Sequence, residues 1–284
     1  MQETNSWYRR TLRYLKRRPS GTLGAGVVLV FMVVAIFAPY LAPYHYADQD
    51  VEAILAPPSP GHPLGTDELG RDLLSRLIWG SRVSFSVGLI AVGIGISVGL
   101  VLGTLGGYVG GLVDRLVVAL IDIVWSFPTI LLAIGLTAIL RPGLRSAMVA
   151  LGLVTWPQYA RVVRGQVLSY KQREFVEAAR SMGASNRRII LRHILPQVMS
   201  PIIVLATLGM AQAILVEAAL SYLGLGVQPP MPSWGSMLER GRNYIYEAPL
   251  LTFAPGLSIT LVVLGFNLMG DALRDVLDPY TSLR

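Results

Sequence analysis

Residues 174–196 read EFVEAARSMGASNRRIILRHILP: a short helical pattern, a break at Gly183, and a basic stretch that stops at Pro196, set between long apolar runs. Glu174 to Ser181 makes about two helical turns, with Glu174 and Glu177 beside the positive, N-terminal end of the helix dipole. Ala178 and Ala179 are small, so another surface can press close to the backbone there. Gly183 is free to take the left-handed conformation that ends a helix and turns the chain. Ser185 caps a second helix whose arginines face water or phosphate, and Pro196 closes the segment as the next apolar run begins. Read this way, the stretch is a rigid, small-faced helix projecting from a membrane bundle and suited to a groove on a cytoplasmic protein. The plain alternative is a basic loop between two spans.

Composition places the bundle in the bilayer. Of 284 residues, 53% are hydrophobic and 14% charged, against about 25% charged in an ordinary soluble domain. Apolar runs approach the ~20 residues that cross a membrane. There is no cysteine, which excludes disulfides, thiolate metal sites and Cys nucleophiles. His45, His62 and His193 are too scattered to form a metal cluster, so no metal or other cofactor is expected. Neither Lys16 nor Lys171 sits in a phosphate-binding G-x-x-x-x-G-K-[ST] loop, so the chain hydrolyses no nucleotide by such a loop of its own. The formal charge of +7 orients the spans rather than pointing to a nucleic-acid partner.

Six helical spans are expected, at about Leu23–Ala42, Val83–Gly106, Leu116–Leu140, Ala147–Val163, Pro201–Leu223 and Thr252–Gly270. Arg9, Arg10, Arg13, Lys16, Arg17 and Arg18 precede the first, whose apolar run is too long for a secretory signal. With that basic end in the cytoplasm, 17 of the 24 Lys and Arg fall on the inner side. Both termini and the 174–196 stretch are then cytoplasmic. The chain divides near residue 80. Residues 1–80 hold the basic N-terminus, the first span and an outer surface helix; residues 81–284 hold five spans and a cytoplasmic loop at about 165–198.

Finer features refine this layout. Gly95, Gly99, Gly103, Gly107 and Gly111 recur every fourth residue, a ridge on which another helix can pack closely. Pro128 predicts a kink in the third span. In GHPLGTDELGRDLLSRLIWGSRVSF, residues 61–85, Thr66 or Asp67 can cap a helix lying on the outer surface, with Leu69, Leu73, Leu77 and Ile78 on one face and Trp79 at headgroup level. The PPMPSW run before Gly235 makes a stiff outer loop, either a structural turn or a contact for an external protein.

Glu177-Ala178-Ala179, Gly183, then His193-Ile194-Leu195-Pro196 resembles the EAA loop of ABC-importer permeases, although the general pattern has isoleucine where His193 stands. HPLGTDELGRDLLSRL (62–77), DIVWSFPTILLAI (122–134), EAALSYLGLGVQPPMPSWGSML (217–238) and FNLMGDALRDVLDP (266–279) are similar, in that order, to phrases of the dipeptide/oligopeptide/nickel branch, in its C-type subunit. The resemblance implies an all-α integral membrane protein with the six-helix type I importer permease fold, in the inner (plasma) membrane. It implies a homologous permease as partner, two cytoplasmic ATPase subunits, and an extracytoplasmic solute-binding protein. Coupling to the ATPases would then fall to Glu174, Glu177, Ala178, Ala179, Arg180, Gly183, Ala184, Leu195 and Pro196. The permease itself performs no bond chemistry. Di- or oligopeptides are the expected cargo, with nickel chelates, glutathione or sugars as alternatives within the branch.

Asp122 and Glu217 are the intramembrane carboxylates. Such groups are costly in lipid, so each lines the translocation path or makes a helix–helix contact. Water or Arg115 is the expected partner of Asp122. A self-contained carrier or channel leaves the EAA stretch without a role, and an intramembrane enzyme needs a catalytic set that these two carboxylates do not form.

Overall fold

The computed structural model describes residues 19–277, and every regular element among them is helical. The basic cluster from Arg9 to Arg18, the last residues of the 266–279 phrase and Arg284 lie outside the described residues. Helix α1, Pro19–Ile36, is followed by a single turn, α2, Ala38–Leu41. Next come α3, Leu73–Val109, α4, Gly111–Trp125, and α5, Thr129–Ile139. Helix α6, Leu144–Lys171, descends to the short α7, Glu174–Ser181, and the one-turn α8, Asn186–Ile189. A π-helical turn over Ile190–Ile194 leads into α9, Leu195–Tyr222. Helices α10, Trp234–Gly241, and α11, Leu250–Leu277, complete the bundle.

All six expected spans fall on helices. Four are long and apolar enough to cross a membrane outright, and α4 with α5 adds a fifth if the pair is one span bent by 89°. Helix α6 holds the fourth expected span, but Gln158, Arg161 and Arg164 dilute its apolar character. The kink expected at Pro128 is therefore a full break. Ser126 and Phe127 close α4 with their N–H groups donating to Asp122 and Val124, and Pro128, in an extended conformation, cannot continue the helix.

The separate outer surface helix does not exist. Helix α3 starts at Leu73 and runs unbroken for 37 residues, roughly 55 Å at 1.5 Å per residue, well beyond the ~30 Å hydrocarbon core. Its cap is Asp72, which accepts from Ser75 N at 2.7 Å, and not Thr66 or Asp67. Asp67 is already engaged, accepting from Leu69 N and Arg71 N while pairing with the Arg71 guanidinium at 2.7 Å. Trp79 packs edge-on against Tyr46 at 5.0 Å and so holds the segment that precedes α3.

The glycine ridge is the spine of the bundle. A side chain at Gly99 would lie 2.5 Å from Tyr159 Cβ and 2.9 Å from Ala160 N, and one at Gly103 2.5 Å from the Ala160 carbonyl, so α3 and α6 touch backbone to backbone. Gly95 and Gly107 meet the same helix one turn either side. Gly111 leaves the pattern: it opens α4 at φ +58° with open space around it. On the far side α1 leans on α11, where Gly24 faces the Gly265 carbonyl.

Candidate functional site: the projecting α7 segment

Helix α6 ends at Lys171, and Arg173 is extended (φ −84°, ψ 146°), which turns the chain out of the bundle. The Arg173 carbonyl accepts from Val176 N and Glu177 N at 2.9 and 3.2 Å, starting α7 with Glu174 and Glu177 in its first turn and Arg180 in its last. Gly183, at φ +81°, reverses the chain; its N–H donates to Arg180 O, and Ala184 N donates to Ala179 O. Ser185 then caps α8 by accepting from Arg188 N at 3.4 Å. Pro196 does not end the segment. The π turn carries the chain straight into α9, and Pro196 occupies the first turn of that α-helix, where its missing N–H does little harm.

The two alanines face opposite ways. Ala179 is buried with Val176 against Val163, Val167, Ile189, Ile194, Val198 and Ile202, so it anchors α7 to the bundle, with Ala184 packed at the edge. Ala178 faces out. Beside it, Phe175 is 41% and Met182 81% exposed. Spaced i, i+3, i+7, these three form one apolar stripe on a helix otherwise flanked by Glu174, Glu177 and Arg180. Phe175 and Met182 were not singled out from sequence, because a two-turn helix has too few residues to reveal which face is free. Leu195 is half-buried behind this unit and Pro196 is exposed.

Tyr108, at the end of α3, braces both sides of the segment. Its hydroxyl donates to Asn186 Oδ1 at 2.8 Å, and its carbonyl accepts from Lys171 Nζ at 2.6 Å. Below it, Arg164 on α6 forms a two-pronged ion pair with Asp114 on α4. The segment is therefore fixed to α3, α6 and α9 together.

The intramembrane carboxylates occupy contrasting settings. Glu217 has no solvent exposure; Ser221 Oγ donates to it at 2.7 Å and Ser84 Oγ, on α3, at 3.3 Å. Asp122 is 61% exposed and paired at 3.0 Å with Arg161, itself 49% exposed. The partner is thus Arg161 on α6 rather than Arg115, and its guanidinium also lies 3.9 Å from the centre of the Trp125 ring. The two carboxylates do not converge.

Before α3, the turn around Asp67 is held by buried charges. Arg76 Nε reaches Asp67 at 3.2 Å, and Glu68 bridges Arg71 at 3.0 Å and Arg240 of α10 at 3.1 Å. Trp234, the last residue of PPMPSW, is fully buried and donates from Nε1 to Leu77 O at 3.1 Å, so that end of the run is a structural plug.

Comparison with known proteins identifies this architecture. The family model described as binding-protein-dependent transport system inner membrane component matches residues 73–282, and that of the N-terminal TM domain of oligopeptide transport permease C matches residues 6–58. The chain is 46% identical to the dipeptide transport system permease protein DppC of Alkalihalophilus pseudofirmus, over 96% of this chain and 90% of the relative. It is 46% identical to the di/tripeptide transport system permease protein DppC of Pseudomonas aeruginosa, over 91% and 88%. Against the glutathione transport system permease protein GsiD of Shigella flexneri the identity is 45%, over 94% and 88%. Among solved structures, a chain of the inward-facing MetNI methionine ABC transporter superposes with TM-score 0.58 at 22% identity, covering 72% of this chain and 97% of that one. That match shows a shared fold.

Proposed function

Because the chain belongs to the binding-protein-dependent transport system inner membrane component family, we propose that it is the subunit through which an ATP-driven importer moves di- or oligopeptides, with α7 as the helix that engages an ATPase. It is a multi-pass inner-membrane protein and a non-catalytic membrane subunit. Two such relatives are named for dipeptides or di/tripeptides and a third for glutathione, itself a tripeptide, which supports short peptides as the cargo class. A homologous permease completes the path, an extracytoplasmic solute-binding protein delivers cargo to the outer loops, and two ATPase subunits supply the motion. Both termini lie in the cytoplasm, and the permease core starts with α3 at Leu73 rather than at residue 81, with the first span appended to it.

The observation that carries this reading is the pairing of an outward apolar stripe with a buried anchor on one short helix. Phe175, Ala178 and Met182 present the docking surface, while Val176 and Ala179 tie it to α6, α8 and α9. Glu174, Glu177 and Arg180 flank the stripe and set its register in the cleft, Gly183 and Ala184 shape the turn behind it, and Leu195 and Pro196 lead into the next span. A push on the stripe is delivered to the bundle because the anchor is packed and the Tyr108 brace leaves no slack. Inside the membrane, an exposed Asp122–Arg161 pair is unsuited to lipid and belongs on a wet path or against the partner permease. Glu217 belongs to packing between α3 and α9.

The test is a Phe175→Ser/Met182→Ser variant co-expressed with the partner subunits. Both side chains are exposed, so thermal stability of the permease should hold while co-purified ATPase falls about tenfold, the loss expected when roughly 1.4 kcal/mol of interface contact is removed. Full retention of ATPase and transport would refute α7 as the coupling element.

A further inference from the structure

We propose that the groove between α6, α9 and α11 is a binding site for an anionic phospholipid of the inner leaflet, gripped through Arg173 and Arg274. The groove has a volume of about 730 Å³ and is open at the surface of the bundle. Its lining changes in step on the helices that form it. On α6, Val162 gives way to Gln166 and Ser169, and just past the helix to Arg173. On α9, running the other way, Gln197 and Ser200 precede Val204, Leu205 and Leu208. On α11 the contribution is the final turn, with Arg274. From Gln197 to Leu208 is roughly 16 Å of helix rise; the charged and amide groups gather at the Arg173 end, with Tyr170 and Leu277 among them, and only hydrocarbon lines the end at Leu208. With α7 on the cytoplasmic side, an orientation that rests on the reading above, the polar half lies at headgroup level and the apolar half reaches toward the acyl chains.

That gradient selects the occupant. A soluble anion has no use for the floor of Val204 and Leu208, and a nonpolar helix has none for two guanidiniums. Neither Arg173 nor Arg274 has a carboxylate partner within ion-pair distance among the described residues. Two arginines above an apolar cleft, beside the hydroxyls of Ser169 and Ser200 and the amides of Gln166 and Gln197, match a phosphodiester on two acyl chains. The position matters because Arg173 is also the residue whose carbonyl starts α7. A headgroup held there steadies the root of the docking helix, so the anionic lipid content of the inner leaflet sets how firmly α7 is presented.

The experiment is native mass spectrometry of the full chain in mild detergent, titrated with dioleoyl phosphatidylglycerol and, separately, dioleoyl phosphatidylcholine. One phosphatidylglycerol should stay bound at concentrations where phosphatidylcholine does not, and Arg173→Gln/Arg274→Gln should weaken its retention at least fivefold. Arg115→Gln/Arg187→Gln removes the same charge outside the groove and should leave retention within twofold. Equal binding of the two lipids, unchanged retention in the groove variant, or equal loss in both variants would overturn the proposal. If the double groove variant does not fold, Arg274→Gln alone, at an exposed helix end, takes its place under the same criteria. Because the assay reads lipid binding without ATPase subunits or transport, its outcome is independent of whether α7 is the coupling helix.

Discussion

Glu217 keeps a carboxyl group out of water with hydroxyls as its hydrogen-bond donors, and substitution separates its charge from its bonding. Gln at this position still accepts from Ser221 on one side, and the Ser84 hydroxyl can rotate to accept from the new amide. Glu217→Gln should therefore hold stability within about 1 kcal/mol and preserve transport. Glu217→Ala leaves a cavity and strands the hydroxyls, a loss of about 2–4 kcal/mol. Thermal unfolding in detergent, read with an uptake assay, checks both; a Gln variant that folds normally but does not transport would move Glu217 from packing to cargo. Gly183 makes a sharper case, since open space surrounds it and only its φ of +81° resists a side chain. Valine there should cut ATPase co-purification at least about fivefold, from a conformational cost of about 1–3 kcal/mol, whereas Gly183→Asn, which visits this region readily, should retain it. The demand at Gly183 was legible in the sequence because it is local. The Asp122–Arg161 pair was not, since its members are 39 positions apart and on different helices.

Helices α3 and α6 test packing at the next scale. Their contact leaves no room for a Cβ at Gly99, so Gly99→Val should destabilise the fold by about 3 kcal/mol or more through overpacking. Gly93, on the same helix, has open space around it, and Gly93→Ala should be neutral or slightly stabilising. Yield and melting temperature of the two variants check the contrast. The four-residue glycine period made this ridge readable in advance, but not where it stops. Gly111 shares the spacing yet opens α4, because the chain leaves α3 at Gly110. The missing outer surface helix has a similar origin: an amphipathic pattern continued into an apolar run looks the same whether the helix lies flat or simply starts further out. What decided it was Asp67, committed to Arg71 and Arg76, which left Asp72 to cap.

For the whole molecule, the inner-side excess of Lys and Arg predicts six crossings with both ends inside. Cysteines introduced at Ser6 and Ser282, which lie outside the described residues, should resist an impermeant thiol reagent in intact cells, while one at exposed Ser59 should react. The cysteine-free sequence supplies a clean background. Reaction at Ser6 from outside would invert the topology and, with it, the leaflet that the α6–α9–α11 groove faces. The order of elements was largely readable beforehand because each span is announced by its own apolar run. How the helices lean on one another was not, apart from the glycine ridge, because span-forming runs are apolar on all sides and do not mark a buried face.

The 89° break between α4 and α5 has a consequence for how the cell must handle this chain. Each limb, 15 and 11 residues long, is too short to cross by itself, and no side chain caps the start of α5. Peptide groups left unpaired at that corner are intolerable against hydrocarbon and must meet protein or water. Trp125 and Phe127 stand about half exposed around it, and Arg161, over the Trp125 ring, leans on the corner from within the chain. A copy made without the proposed partner permease should therefore be cleared faster than one made beside it, which pulse-chase labelling with and without the partner would check.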